Sequence, residues 1–472
     1  MYTIVTDRRP QILLIILAAA AFFLDGLSTA IVNNVLPVIT QQFDISIAYS
    51  SWITQTYFLA FVGFILPFGK IADNGRLREV MIGGLGLFAL GLIVCAIAPS
   101  FPLMIVARFV QGLGAAMIGG ACPVIITRLL PSSKHGVGIG FAATLAGVAI
   151  IVGPALGGFI TELSSWHWAF LVSVPFAIAG IFMALRLIPK AEKTKTRFDV
   201  LGTALVFLIV ASFVIALNSF PTFGITHPLV LISAAVFVVT LIWYIFHSLH
   251  FENPLLHVDI FRTGKFTAVA ISYMLLCGIY AGVLYIVPYF MQIGLCLDSA
   301  TSGILLAVPA IIAAVIATPV GFWADKRGTK LPCILSSVSY TIFCALFAVI
   351  NPAIGLAAFI VGLVFMGLAF GLMGGPATAR IIQCAPEDKK SEGATIMMLF
   401  NYLGCVVGLA VYNAAFALGV PASSTTVAGD MALDLFLPGF HATAIAGLIF
   451  AIISLVLTII VPKMRPENPG KK

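Results

Sequence analysis

Apolar residues in this chain come in long, nearly unbroken runs separated by short polar connections. A membrane-spanning helix needs about 20 mainly apolar residues. Fourteen windows reach that length: 11–37, 50–71, 79–98, 102–129, 136–160, 166–188, 200–218, 228–248, 267–291, 300–324, 331–350, 353–376, 393–417 and 440–462. The pattern predicts an all-α integral membrane protein with fourteen transmembrane helices. The longest polar stretches, 189–198, 251–266 and 421–434, are too short to be soluble domains. The first run follows Arg8 and Arg9, as a signal peptide would. It carries Asp25 and continues to Pro37, which predicts a retained helix instead.

The basic residues give an independent count. Of the 25 Lys and Arg, Arg108 alone lies well inside a window. The others fall at the termini or around the connections that follow even-numbered helices, as do Arg78, Lys134, Arg262, Lys265, Lys326 and Lys390. Connections after odd-numbered helices carry acids instead: Asp44, Glu162, Asp298, Asp430 and Asp434. One helix more or fewer would scramble this alternation. Basic loops stay in the cytoplasm, so the pattern predicts a multi-pass plasma-membrane protein with both termini cytoplasmic. The net charge of +7 is then a topology signal and predicts no nucleic-acid partner.

Composition agrees. Hydrophobic residues make up 61% and charged residues 9%, against about 25% charged in soluble domains. Mean hydropathy is +1.12. Eight cysteines form no CxxC pair, and six of them lie in apolar runs, so neither a disulfide framework nor a zinc site is predicted. His167 and His441 lack ligand-like neighbours. No metal or cofactor is expected. No HExxH, Gly-x-Ser-x-Gly or Walker loop occurs, which argues against an enzyme and against ATP drive within the chain.

One frame recurs. Gly69-Lys-Ile-Ala-Asp73 ends the second window, and Gly321-Phe-Trp-Ala-Asp325 ends the tenth, 252 residues later. Basic residues follow each copy, including Arg76 in the first and Arg327 in the second, then Gly328. In the first copy the glycine, Gly75, comes one residue early. The repeat predicts two six-helix halves, 1–190 and 263–472, with two further helices inserted at 191–262. Paired repeats around a central site are a transporter architecture.

Several stretches resemble one family. They are Leu24-Asp25 through Asn33-Asn34-Val35-Leu36-Pro37, Trp52 to Tyr57, and Arg108-Phe-Val-Gln111-Gly112-Leu-Gly114. Gly153-Pro154-Ala-Leu-Gly157-Gly158 and Trp166-His-Trp168-Ala-Phe170 complete the set. Together with the Gly-x-x-Ala-Asp turns, they make the chain similar to the major facilitator superfamily, and within it to the fourteen-helix drug:proton antiporters. The resemblance spans nearly the whole chain. It implies proton-coupled antiport of small molecules by a monomer. It gives Gly153, Pro154, Gly157 and Gly158 the place of an antiporter motif. Ala149 stands where that motif has another glycine. The frames Gly69–Asp73–Arg76 and Gly321–Asp325–Arg327–Gly328 take the place of gates; topology alone accounts for their bases but not for the repeated frame.

The charges within the runs carry the chemistry. Asp25 lies 14 residues beyond Gln11, about 21 Å along a helix. A carboxylate at that depth is expensive and marks function by default. Ser28, Thr29 and Asn33 follow at helical spacing and predict a polar stripe. Asp25 is read as a proton site on a central cavity, the other reading being a structural acid. Arg108 lies about 9 Å inside the outer end of its helix, with Gln111 beside it, and is expected to pair with Asp25. Its other reading is a brace on backbone carbonyls. Ser28, Thr29, Asn33, Gln55, Gln111, Tyr273, Tyr280 and Asn401 are cavity candidates for an amphipathic, ring-bearing substrate, with helix–helix hydrogen bonding as the alternative for Asn401. Tyr289 and Phe290 are expected in an interfacial aromatic belt. The second transport reading is export of a lipid or organic anion, with Arg108 as the anion contact.

Overall fold

The computed structural model describes residues 4–5, 7–191, 199–251, 254–256, 258–352, 355–386, 390–420 and 431–462. The polar stretch 192–198, Lys389 and the loop residues 421–430 with Asp430 lie outside them. The described residues form fourteen long helices. The first six are α1 (Arg8–Gln42), α2 (Ile47–Ile71), α3 (Leu77–Ala96), α4 (Phe101–Val124), α5 (Ser132–Leu163) and α6 (Trp166–Leu187). Then come α7 (Val200–Phe223) and α8 (Pro228–His250). The last six are α9 (Gly264–Tyr289), α10 (Ser299–Arg327), α11 (Lys330–Phe347), α12 (Leu356–Cys384), α13 (Lys390–Gly419) and α14 (Leu433–Ile460).

By apolar length alone α2 and α3 are one span, Ile47–Ala96, which makes thirteen spans among the described residues. The backbone divides that span at Asn74 and Gly75, where φ of Gly75 is 91°. Gly328, in the second copy of the frame, has φ 95° and closes α10 with a 2.8 Å bond from its N–H to the carbonyl of Ala324. Both turns therefore use a left-handed residue, which glycine adopts without steric cost. The one-residue offset between the copies leaves this device intact.

The first and last six helices repeat one packing scheme. α1 packs on α5, α2 and α3 on α4, and α3 on α6; correspondingly α9 packs on α13, α10 and α11 on α12, and α11 on α14. Small residues permit the close crossings. A Cβ on Gly114 would strike the backbone of Phe88, and Gly278 and Gly408 meet backbone to backbone. The two halves touch along α5–α10 and along α2–α13. The inserted α7 and α8 pack on each other, and α7 reaches both α2 and α13. On α8, Ile232, Val239, Ile242 and Phe246 are each more than half exposed, which suits a lipid-facing surface.

Two expectations need correction. α12 runs eight residues beyond its window, to Cys384, and takes Arg380 with it. Arg380 is 1% exposed, so Arg108 is not the only buried base. Its Nη2 donates to the carbonyls of Thr458 (3.2 Å) and Val461 (3.0 Å) at the end of α14, the favourable place for a cation at a helix C-terminus. Tyr289 and Phe290 form no interfacial belt. Both are fully buried; Tyr289 bonds to the first half, and Phe290 stacks on Phe359 and Phe440.

Candidate functional site

The connections α1–α2 and α9–α10 lie at the far face, at the opposite end of α1 from Arg8. There the halves are sealed together. The Asn34 amide donates to the carbonyls of Pro154 (2.9 Å) and Ser299 (3.1 Å), tying α1 to α5 and α10. Gly158 lies so close to Ser299, and Gly303 to Pro154, that a Cβ on either would enter the facing backbone. The Tyr289 hydroxyl bonds Thr40 (2.6 Å) and Ser50 (2.7 Å), and Tyr285 donates to the carbonyl of Ile47. Gly157 and Gly158 thus serve the α1–α5–α10 seam, and Gly153 packs on Ala30.

Gln55 belongs to this seam rather than to a cavity wall. It is fully buried and exchanges amide bonds with Asn218 of α7, 2.7 Å from the Asn218 Nδ2 and 3.4 Å to its Oδ1. Asn413 of α13 donates to the same Oδ1 at 2.7 Å. The inserted helix therefore holds α2 and α13 through one asparagine. Three buried amides in apolar runs were the available signal for this cluster.

At mid-depth Asp25 is half-buried on α1. Its Oδ1 accepts from the hydroxyl of Tyr57 on α2, and its Oδ2 from that of Tyr402 on α13 at 3.1 Å. The second bond crosses between the halves. Tyr402 stacks on Phe61 of α2 with ring centroids 3.8 Å apart. Among the described residues, Asp25 and Arg108 form no ion pair. Tyr57 stands between them, with the guanidinium 4.5 Å from its ring centroid. A charge over the ring face is a cation–π contact. Arg108 is fully buried; Nε donates to the carbonyl of Ile53 (2.9 Å) and Nη1 to Gln111 (2.6 Å), while Nη2 has no hydrogen-bond partner. Gln111 in turn donates to Ser28 at 2.7 Å. The expected stripe is thus divided. Ser28 and Gln111 sit behind the wall as a brace for Arg108, and Thr29 remains half-buried beside Asp25.

Between the halves lies a small apolar recess, with room for about one water molecule. Asn33, Ile150, Tyr280, Met366 and Phe370 contribute to its walls, from α1, α5, α9 and α12. Tyr280 and Phe370 stack nearly parallel at 4.4 Å and offer an aromatic wall. Asn401 donates to the Tyr273 hydroxyl at 2.8 Å; Tyr273 is buried and borders a second, smaller recess shared with Arg380. Asn401 therefore makes a helix–helix hydrogen bond, the alternative weighed for it.

At the face bearing the termini, Asp73 forms a two-bond ion pair with Arg128 (2.7 and 2.9 Å), a base beyond the end of α4 that its gate reading omitted. Arg76, Asp325 and Arg327 are exposed. No neighbouring atom lies within 4 Å of a Cβ built at Gly136, Gly140, Gly147, Gly321, Gly374 or Gly375, in contrast to the packed glycines of the far seam. Gly69 packs against Gly120. Among the described residues no group of His, Cys, Asp and Glu could hold a metal.

The family model described as Major Facilitator Superfamily matches residues 18–409. The multidrug resistance protein MdtD of Pectobacterium atrosepticum is 24% identical over 406 residues, covering 86% of each chain. The riboflavin transporter RibZ of Clostridioides difficile is 24% identical over 411 residues, covering 86% of this chain and 88% of its own. Among solved structures, a bacterial homologue of the lysosomal transporter Spinster, in an inward-facing and unoccupied conformation, superposes with TM-score 0.69 at 14% identity, over 97% and 98% of the two chains. A POT family transporter in complex with 5-aminolevulinic acid gives 0.70 at 14% identity, over 96% and 97%.

Proposed function

The chain belongs to the major facilitator superfamily and is a membrane transporter; from that premise we propose that it exchanges protons for lipophilic or amphipathic small molecules, exporting them from the cytoplasm. The observation that carries this reading is Asp25. Among the acids of the described helices it alone sits at mid-span, and it is half-buried where the halves meet. A carboxylate retained there despite its cost can bind a proton from one side and release it to the other. Tyr57 and Tyr402 hold the carboxylate in place, and Arg108 supplies positive potential through the Tyr57 ring. The relatives named for multidrug resistance and riboflavin transport concern small organic molecules, and the stacked Tyr280–Phe370 pair offers an aromatic surface to the rings of such a cargo.

In this reading residues 1–190 and 263–472 rock against each other as a monomer, with 191–262 inserted between them. The alternation of bases and acids supports cytoplasmic termini, and with that sidedness the sealed far seam and the unpacked glycines opposite fit an inward-open state. The alternative cargo, a lipid or organic anion bound by Arg108, gains no support from a guanidinium buried behind Tyr57. The test is uptake of a lipophilic cationic dye, ethidium, into proteoliposomes with and without a pH gradient. The gradient should drive uptake by the wild-type protein, and Asp25→Asn should abolish that drive while inserting normally. Gradient-driven uptake by Asp25→Asn at the wild-type rate would remove Asp25 from the mechanism.

A further inference from the structure

We infer that Tyr402 is the positioning residue through which the charge on Asp25 sets the relation between the two halves. The inference rests on the reading of Asp25 as the proton site. Hydrogen bonds between described residues that join the halves lie at the far seam, with one exception at mid-depth, the Tyr402 hydroxyl to Asp25 Oδ2. It is also the one among them that ends on an ionisable acid.

The chemistry of the two states differs in a definite way. An ionised carboxylate only accepts, so it can take the hydroxyl hydrogens of Tyr57 and Tyr402 together. Both bonds are then charge-assisted and strong. When a proton binds, one carboxyl oxygen becomes a donor. One phenol must then turn its hydrogen away and accept, and both bonds lose their charge assistance. Tyr57 lies in the same half as Asp25, so a change in its bond leaves the halves where they are. Tyr402 lies in the other half, on α13, and a change in its bond loosens the link between them. The ionised form therefore favours the sealed-seam state seen here, and the protonated form releases it. A cargo that takes the Tyr402 hydroxyl for itself has the same effect as the proton.

The other titratable groups around Asp25 are few. α2 presents Tyr57, α4 presents the Cys122 thiol and, through the Tyr57 ring, Arg108, and α13 presents Tyr402 and the Cys405 thiol. α5 meets the neighbouring Gly26 with Ala149 and the Ala146 carbonyl. No second carboxylate competes for the role among the described residues.

Tyr402→Phe removes the hydroxyl and keeps the ring stacked on Phe61, so packing is preserved. The readout is the distance distribution between spin labels at Ser133→Cys and Lys326→Cys, two exposed positions at the terminal-face ends of α5 and α10. Cys296→Ser removes the exposed native thiol; the other seven cysteines are buried. In wild type, acidification should shift the ratio of open to closed distances roughly ten-fold toward closed, the change expected when a hydrogen bond loses its charge assistance. In Tyr402→Phe the ratio should sit near the wild-type acid value at every pH. In Asp25→Asn it should also be flat. A wild-type pH response in Tyr402→Phe beside a flat Asp25→Asn overturns the inference and leaves the proton site standing. A wild-type response in Asp25→Asn overturns the proton site itself.

Discussion

A buried guanidinium with one unpartnered nitrogen defines the chemistry around Asp25 as much as the acid does. Arg108 is held by the Ile53 carbonyl, by Gln111 and by the Tyr57 ring face, and each contact uses the planar fork or the flat cation. Lysine keeps the charge but has neither geometry. Arg108→Lys should therefore insert and yet lose most of its transport, about ten-fold or more if one charged hydrogen bond goes unreplaced; dye efflux rates at equal protein level measure it, and wild-type rates would show that charge alone suffices. Asp25 and Arg108 were legible in the sequence because a charge within an apolar run has no inexpensive explanation. Their connection was not. Tyr57 and Tyr402 carry no such signal, since tyrosine is unremarkable in a membrane helix, and Tyr402 lies 377 residues from Asp25. The direct ion pair anticipated from depth alone becomes a relay through an aromatic ring, because depth places two residues along their helices and says nothing of what stands between them.

Helices in this fold close on one another through glycine, and the seam shows what that requires. At Gly158 any side chain would meet the Ser299 carbonyl and the Asn34 amide. Gly158→Val should leave the α1–α5 packing largely in place but hold α5 away from α10, trapping the far face open. A cysteine at Ser50, buried beside Tyr289 in the sealed state, should then react with a thiol reagent several-fold faster than in the Gly158 background; equal rates would show that the seam tolerates the side chain. The motif Gly153–Gly158 was legible as a unit, and its role in packing α5 follows from composition. That it would face Ser299 and Gly303 of α10 was not, because contacts between halves depend on which state the molecule occupies. Helix ends were the least legible feature. The window for the twelfth helix ends at 376, short of Arg380, which lies inside the helix and whose guanidinium caps the end of α14.

The all-helical membrane fold and its count of long helices were legible. The alternation of bases and acids fixed the number independently of hydropathy, which by itself merges α2 with α3. The role of the inserted pair was not legible. Residues 191–262 read only as two more spans, whereas Asn218 of α7 is bonded at once to α2 and α13, so the insertion takes part in the seam between the halves. The sidedness of the whole molecule is open to a direct check. Cys296 is the exposed cysteine, in the α9–α10 connection. A membrane-impermeant maleimide should label it in intact cells without permeabilisation; labelling only after permeabilisation would invert the topology and, with it, the direction of transport.

Coupling, finally, comes down to whether one carboxyl gives up a proton when cargo binds. The purified protein in weakly buffered detergent solution, with a pH indicator dye, measures this on addition of ethidium. The account predicts release of about one proton per molecule by the wild-type chain, as expected of a single titrating group, and none by Asp25→Asn. Equal release by both, with ethidium bound in each case, would contradict it.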